Sequence, residues 1–469
     1  MRTLFSAILV ILTAAACAQS PKATIAKLEK DIPELITSHD IPGLSAAYIS
    51  NGTLVWVRHY GVSNAATRQP VTDSTIFEAA SLSKVVTAYM AIQLVDQGRL
   101  NLDTPLSTYL DNNYDVGDDP RLRLVTARRV LSHSAGFPNW RAQEGGKLPI
   151  NFTPGEKFSY SGEGFVFLAR VMEKLTGQPL ETYSKQVVFT PLGMQQTSFT
   201  WLDSYQTRGA YRHDWLGNMS FRAEYKGANA AASVRTTARD YATFMVALLN
   251  GTGLSAKMHT AMFTPQIKVD ANKFAEVAWG LGVGLENTAQ GKFFWHWGDQ
   301  GDSKCFMTAN LDTKDGIVYF TNSYNGITIA DNLLKDALHS THPAVAWLDY
   351  PAYNPTRKLF YEAIEAQGAA KTIERFIAEA AQHPEYKISE SDMNSIGYLL
   401  LRKKKVDDAL IVFKQNTLDF PNSANTWDSL GEAYAVKGDK AAAIQNYQRS
   451  LQLDPSNSNA AEQIKKLKE

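Results

Sequence analysis

Cysteine is nearly absent: only Cys17 and Cys305 carry a thiol in 469 residues. No intramolecular disulfide framework can therefore hold the fold, and its stability must come from a buried core. Charge of one sign is also missing, since Lys and Arg number 47 against 47 for Asp and Glu. No basic field invites nucleic acid. The short basic runs Arg402–Lys405 and Lys465–Lys468 read as solvated helix faces. Past the N-terminus no apolar run is long enough for a membrane helix. There is no His-Glu-x-x-His, and His339 and His342 lack an acidic partner and a third ligand in the sequence, which argues against a metal hydrolase. No Gly-x-Ser-x-Gly occurs, which argues against the nucleophile turn of α/β-hydrolases. No metal or organic cofactor is called for.

What is present begins with a leader. Met1-Arg2 is basic, Leu4 to Ala16 is mostly apolar but too short to span a bilayer, and Ala14-Ala-Ala-Cys17-Ala-Gln-Ser supplies small residues at a cleavage site. Two cuts fit. One after Ala18 leaves a soluble chain starting at Gln19. One before Cys17 resembles a bacterial lipoprotein site with a lipidated Cys17, although Ala14 stands where such sites usually carry Leu. Either reading predicts export, to the periplasm or beyond. Residues 1–18 are thus set apart as a signal peptide, and the membrane enters only through lipidation of Cys17.

A helix is expected over Lys22–Ser38, ended by Ile41-Pro42-Gly43. Two β-rich runs, 44–50 and 53–59, are joined by Asn51-Gly52, a strong hairpin signal. Residues 100–260 read as mainly helical, with loops at Asp111–Pro120, Trp140–Pro154 and Trp201–Gly227. Residues 279–285, 292–297, 304–310 and 316–322 return to β character. An antiparallel sheet built from both ends of a domain spanning 22–345, with helices between, is an α+β arrangement. After a linker at 346–356, residues 357–469 are helical. There Met393, Ile396, Gly397, Leu400, Ala409, Phe413 and Pro421 recur 34 positions later as Trp427, Leu430, Gly431, Tyr434, Ala443, Tyr447 and Pro455. The pattern resembles the tetratricopeptide repeat, most clearly at 390–423 and 424–457. Such an array either braces its neighbour or offers a docking surface for a protein or peptide.

Chemistry concentrates in three places. Ser81-x-x-Lys84 puts a hydroxyl and an amine on one face at a helix start. A lysine whose pKa is lowered by burial can take a proton from serine and make it a nucleophile. Tyr160, after the Pro154-Gly155 turn, is a second candidate base if a nearby ammonium lowers its pKa. The stretch His296-Trp297-Gly298-Asp299 reads as a strand where Gly298 permits close approach of substrate to backbone. The N–H groups of Ser81 and Asp299 would form an oxyanion hole.

Together these elements resemble the serine β-lactamase and penicillin-binding-protein superfamily, in its class C-like branch, over residues 28–340. Ser81-x-x-Lys84 matches the nucleophile motif. Tyr160-Ser161-Gly162 matches Tyr-x-Asn except at its last position, and His296-Trp297-Gly298 matches the third motif in a His-x-Gly form where class C β-lactamases usually carry Lys-Thr-Gly. Leu131-Ser-His133-Ser-Ala-Gly136, Pro191-Leu-Gly-Met194 and Ser233-Val-Arg-Thr-Thr-Ala-Arg-Asp240 are also typical, with His133 expected to be structural. The resemblance implies a Ser81 acyl-enzyme, with Lys84 and Tyr160 sharing the deprotonation of Ser81 and then passing a proton to the leaving group, and a substrate site lined by His296, Trp297, Gly298 and Gly162. Gly162 lacks the amide that would hydrogen-bond substrate, and His296 attracts a carboxylate less than lysine does. Both favour an esterase or D-amino-acid peptidase acting on an ester, amide or peptide. A true β-lactamase or DD-carboxypeptidase is the alternative, and a non-catalytic sensor of penicillin or cell-wall fragments is a second.

Overall fold

A computed structural model describes residues 20–112, 114–141 and 146–469. The leader, both candidate cleavage sites and Cys17 lie outside the described residues. The chain divides into two compact units, 1–351 and 352–469. The expected linker at 346–356 contains that division, together with the end of one helix and the start of the next.

The first unit runs α1 (Pro21–Ser38), β1 (Gly43–Ser50), β2 (Thr53–Asn64), β3 (Gln69–Pro70), β4 (Phe77–Glu78), α2 (Ser83–Asp96), α3 (Ala127–Leu131), α4 (Gly162–Thr176), α5 (Leu180–Ser184), β5 (Arg235–Thr236), α6 (Ala238–Asn250), α7 (Ala256–Met262), β6 (Ile267–Asp270), β7 (Phe274–Trp279), β8 (Gly284–Thr288), β9 (Gly291–Asp299), β10 (Lys304–Asn310), β11 (Gly316–Thr321), α8 (Ala330–Leu338) and α9 (Pro343–Leu348). Nine strands form one antiparallel sheet in the order β3-β2-β1-β11-β10-β9-β8-β7-β6, and β4 pairs separately with β5. The N-terminal hairpin meets the C-terminal strands where β1 pairs β11, Ala46 opposite Tyr319. Asn51 and Gly52 both take positive φ, 48° and 69°, as the tight turn requires.

Alternation along the strands separates two cores. Leu44, Ala46, Trp295, Phe306 and Tyr319 face one side, packed with Leu28 and Ile32 of α1 and Leu333 and Leu334 of α8. Ala47, Ile49, Phe294, Met307, Val318 and Phe320 face the other, with α2, α4 and α6. The helix carrying Lys84 is accordingly apolar all round, buried from Ser83 to Ile92.

Three expectations change. Residues 279–285 are not a strand but the end of β7, a turn and the start of β8, closed by Gly280 N–H to Val283 O at 2.9 Å. Gly282 sits in that turn at φ 86°, and a Cβ there would collide with Ala88 of α2. The glycines that looked like strand residues are thus a turn pressed on the catalytic helix. Strands β6 and most of β7, at 267–279, fall where the sequence carried no clear alternation. The irregular stretch expected at 201–227 extends on both sides, over 190–200 and 228–234, where helix was expected.

The second unit is all helix: α10 (Pro355–Gln367), α11 (Ala369–Glu379), α12 (Glu390–Arg402), α13 (Val406–Asp419), α14 (Ala424–Lys437), α15 (Lys440–Leu453) and α16 (Ser458–Lys468). The 34-residue period has a steric cause. A Cβ on Gly397 would lie 2.5 Å from the Phe413 ring, and one on Gly431 3.0 Å from the Tyr447 ring. Each glycine lets the aromatic of the paired helix seat against its backbone.

Candidate active site

Ser81 stands on a sharp elbow. It occupies a single 3-10 turn, Ala80–Leu82, just before α2, and Ala80 is held at φ 45°. A non-glycine residue in that region is strained and persists only where its surroundings over-determine it. Here they do. Ala79 N–H donates to Val234 O at 2.8 Å, Ser83 Oγ donates to Ala80 O at 2.6 Å and accepts from Val234 N at 2.9 Å, and Tyr241 Oη donates to Leu82 O at 2.9 Å. Gly298 completes the clamp: a Cβ on it would collide with Cys305 Sγ and lie 2.8 Å from Ala79 O. The missing Cβ of Gly298 makes room for the enzyme's own elbow.

Lys84 is fully buried, with Nζ 3.1 Å from Ser81 Oγ and 2.8 Å from Ala231 O. The rings of Tyr160, Trp140 and Phe165 surround the amine at 4.8, 5.8 and 6.0 Å. No carboxylate among the described residues compensates it, and burial brings its pKa down to about 7. An amine that is half neutral at pH 7 can accept the serine proton.

The lowered pKa expected of Tyr160 is not what the structure shows. Its hydroxyl is buried without a hydrogen bond of regular geometry, yet Ser81 lies close enough to lower its pKa in part. Burial dominates and pushes the phenol above its ordinary value. The sequence argument for a lowered pKa fails because desolvation outweighs the lowering by Ser81, and the Lys84 ammonium is itself only half populated. Tyr160 is therefore a proton donor at neutral pH. His133 positions it from both sides, accepting Ser161 N–H on Nδ1 at 3.0 Å and Ser159 N–H on its carbonyl at 2.7 Å.

His296 is buried with Nδ1 2.8 Å from Trp297 O. A carbonyl only accepts, so Nδ1 carries the proton and Nε2 presents a lone pair, with no partner among the described residues. Burial first, then the nearby Lys84, holds the imidazole pKa down at about 3. His296 is neutral at any physiological pH. The Trp297 ring stacks on His296, with centroids 5.4 Å apart, and lies 4.8 Å from the Tyr160 ring. Asp299 ends β9 under firm control: Lys304 Nζ reaches Oδ1 at 2.5 Å, Tyr350 Oη donates to Oδ2 at 2.6 Å, and Gly301 N–H donates to Oδ1 at 2.7 Å. Tyr350 also accepts from Trp297 Nε1 at 3.2 Å. Lys304 and Asp299 face each other in the β9–β10 register, a charge pair visible in hindsight in Asp299-Gln-Gly-Asp-Ser-Lys304.

The third expected position, Gly162, opens α4. Its N–H donates to Asn139 O and Oδ1, both at 3.0 Å, and a Cβ on it would lie 2.7 Å from the Trp140 ring. Ser83, Trp140, Lys304 and Tyr350 are the site residues that sequence reasoning missed. His342 does have an acidic partner, buried Glu286 at 2.6 Å, but no group of three metal-ligating side chains gathers among the described residues.

Residues 25–338 match the beta-lactamase family over more than half of the chain. The chain belongs to this family. It is a serine hydrolase of the β-lactamase-related kind. Penicillin-binding protein 4 of Amycolatopsis lactamdurans is 28% identical over 281 residues, covering 54% of this chain and 73% of that protein. Esterase EstB of Burkholderia gladioli is 25% identical over 201 residues, covering 37% of this chain and 51% of that one. The octameric penicillin-binding protein homologue from Pyrococcus abyssi shares the fold, with a TM-score of 0.59 at 24% identity over 72% of this chain and 81% of its own. Residues 424–457 match the tetratricopeptide repeat.

Proposed function

We infer that this hydrolase is an exported esterase, or a peptidase for D-amino-acid amides, whose substrates bear no carboxylate beside the scissile bond. The neutral His296 carries this reading. Its proton is committed to Trp297 O and the buried ring is neutral, so it supplies no positive charge to hold a substrate carboxylate. β-Lactams and D-alanyl-D-alanine peptides carry that carboxylate; simple esters do not. One similar protein is named for penicillin binding and another as an esterase, so kinship alone leaves the choice to the site. Export rests on the leader at residues 1–18.

In the proposed reaction Ser81 Oγ bonds to the carbonyl carbon as its proton passes to neutral Lys84. The N–H groups of Ser81 and Asp299 hold the oxyanion. The carbon–oxygen bond to the leaving group breaks, the leaving group takes the Tyr160 proton, and Lys84 returns its proton to Tyr160. Water then attacks the acyl-enzyme by the same relay and releases acid and Ser81. The test compares kcat/KM of the full chain for a short-chain nitrophenyl ester and a chromogenic cephalosporin, with Ser81→Ala as the blank. Ester turnover at least a hundredfold above cephalosporin turnover is expected. Comparable rates would overturn the reading and move the enzyme among β-lactamases.

A further inference from the structure

Gly162 removes a side chain from the site, and the structure shows what fills its place. The Trp140 ring packs where a Cβ on Gly162 would go, 2.7 Å from that position at Cη2 and 2.9 Å at Cζ2. The same ring lies over Lys84 Nζ at 5.8 Å, while 46% of the residue remains open to solvent. One part of the indole thus closes over the reacting groups and the rest forms an exposed apolar face beside Ser81.

Its mount is rigid. On one side of Trp140, Asn139 accepts the N–H groups of Gly162 and Glu163 at 3.0 and 3.1 Å, and Ser161 Oγ donates to Pro138 O at 2.8 Å. On the other side, Arg141 forks onto the Glu163 carboxylate through Nε at 3.1 Å and Nη2 at 2.7 Å, and its N–H reaches Oε1 at 3.2 Å. The guanidinium and carboxylate are largely buried, at 12% and 7% exposure. Both chain neighbours of Trp140 are tied to the same first turn of α4. A flat side chain fixed before binding loses little entropy when a ligand stacks on it.

We propose that Trp140 is the platform for the acyl group and that it selects aryl or arylalkyl acyl chains over small ones. This rests on the esterase reading for the reaction it serves. The leaving group departs past Tyr160, the proton donor, so the indole face is left to the group that stays on Ser81. The platform exists because position 162 is glycine; any side chain there would displace the ring.

The test reads Ser81 reactivity directly, without requiring ester turnover. The full chain is treated with two nitrophenyl phosphonates, one bearing benzyl and one methyl on phosphorus. Ser81 Oγ displaces nitrophenolate, and the rate of adduct formation is followed by intact mass and corrected for each reagent's reaction with hydroxide. The wild type is expected to prefer benzyl about tenfold, the range set by aromatic contacts and apolar pockets. Trp140→Ala should bring the ratio near one, Trp140→Phe should keep most of it, and Gly162→Ala should lower it by pushing the indole aside. An unchanged ratio in Trp140→Ala, a wild-type ratio of one, or no labelling of Ser81 overturns the proposal. The expected ratios without turnover of any ester would uphold the platform and sink the esterase reading alone.

Discussion

Replacing Lys84 by methionine should stabilise this enzyme at pH 6 while abolishing its activity. The amine has no carboxylate partner among the described residues, and burial brings its pKa from 10.5 to about 7. At about 1.4 kcal/mol per pH unit, folding with a charged Lys84 costs about 5 kcal/mol at low pH. The two contacts to Ser81 Oγ and Ala231 O offset about 1–3 kcal/mol of that. Between pH 7 and 10.5 the unfolded chain binds the proton that the folded chain has released, so wild-type stability rises with pH across that window. Lys84→Met should therefore be more stable by about 2–4 kcal/mol at pH 6, an advantage that is gone by pH 10. Urea unfolding at the two pH values, followed by tryptophan emission to which only Trp427 contributes from the repeat unit, measures both. The same pKa requires ester kcat/KM to rise tenfold per unit below about pH 7 and to level off above it. A variant equally destabilised at both pH values, or a rate still climbing at pH 9, would refute a low-pKa Lys84 base.

Gly298→Ala forces a methyl against Cys305 Sγ and Ala79 O. It should destabilise the first unit by about 2–3 kcal/mol and lower kcat at least tenfold by shifting the elbow before Ser81; thermal melts and ester kinetics check both, and Cys305→Ala should recover part of each. Tyr350→Phe removes the hydroxyl that joins Asp299 to Trp297. With the oxyanion donor less firmly held, kcat should fall about tenfold while KM moves less than threefold. A rise in KM alone would show that Tyr350 serves binding rather than positioning.

Much of this enzyme was legible in its residues. The Ser81-x-x-Lys84 spacing placed hydroxyl and amine together because one helical turn does so in any context. The Asn51-Gly52 hairpin followed from the positive φ that turn demands, and the 34-residue period from glycines at 397 and 431 that face aromatic rings. These are local rules, in which the partners lie within a turn, a hairpin or a repeat. What tertiary structure alone decided is the environment of each group. Whether Lys84 titrates near 7, whether the Tyr160 phenol holds its proton, and which imidazole nitrogen of His296 carries the proton depend on what is packed around them. Those neighbours come from distant segments: Ala231 for Lys84, His133 for Tyr160, Tyr350 for Asp299. Gly298 and Gly162 were visible as glycines, but the elbow against one and the indole against the other appear only once the chain has folded. Desolvation is a property of a three-dimensional surrounding, and no run of neighbouring letters encodes it.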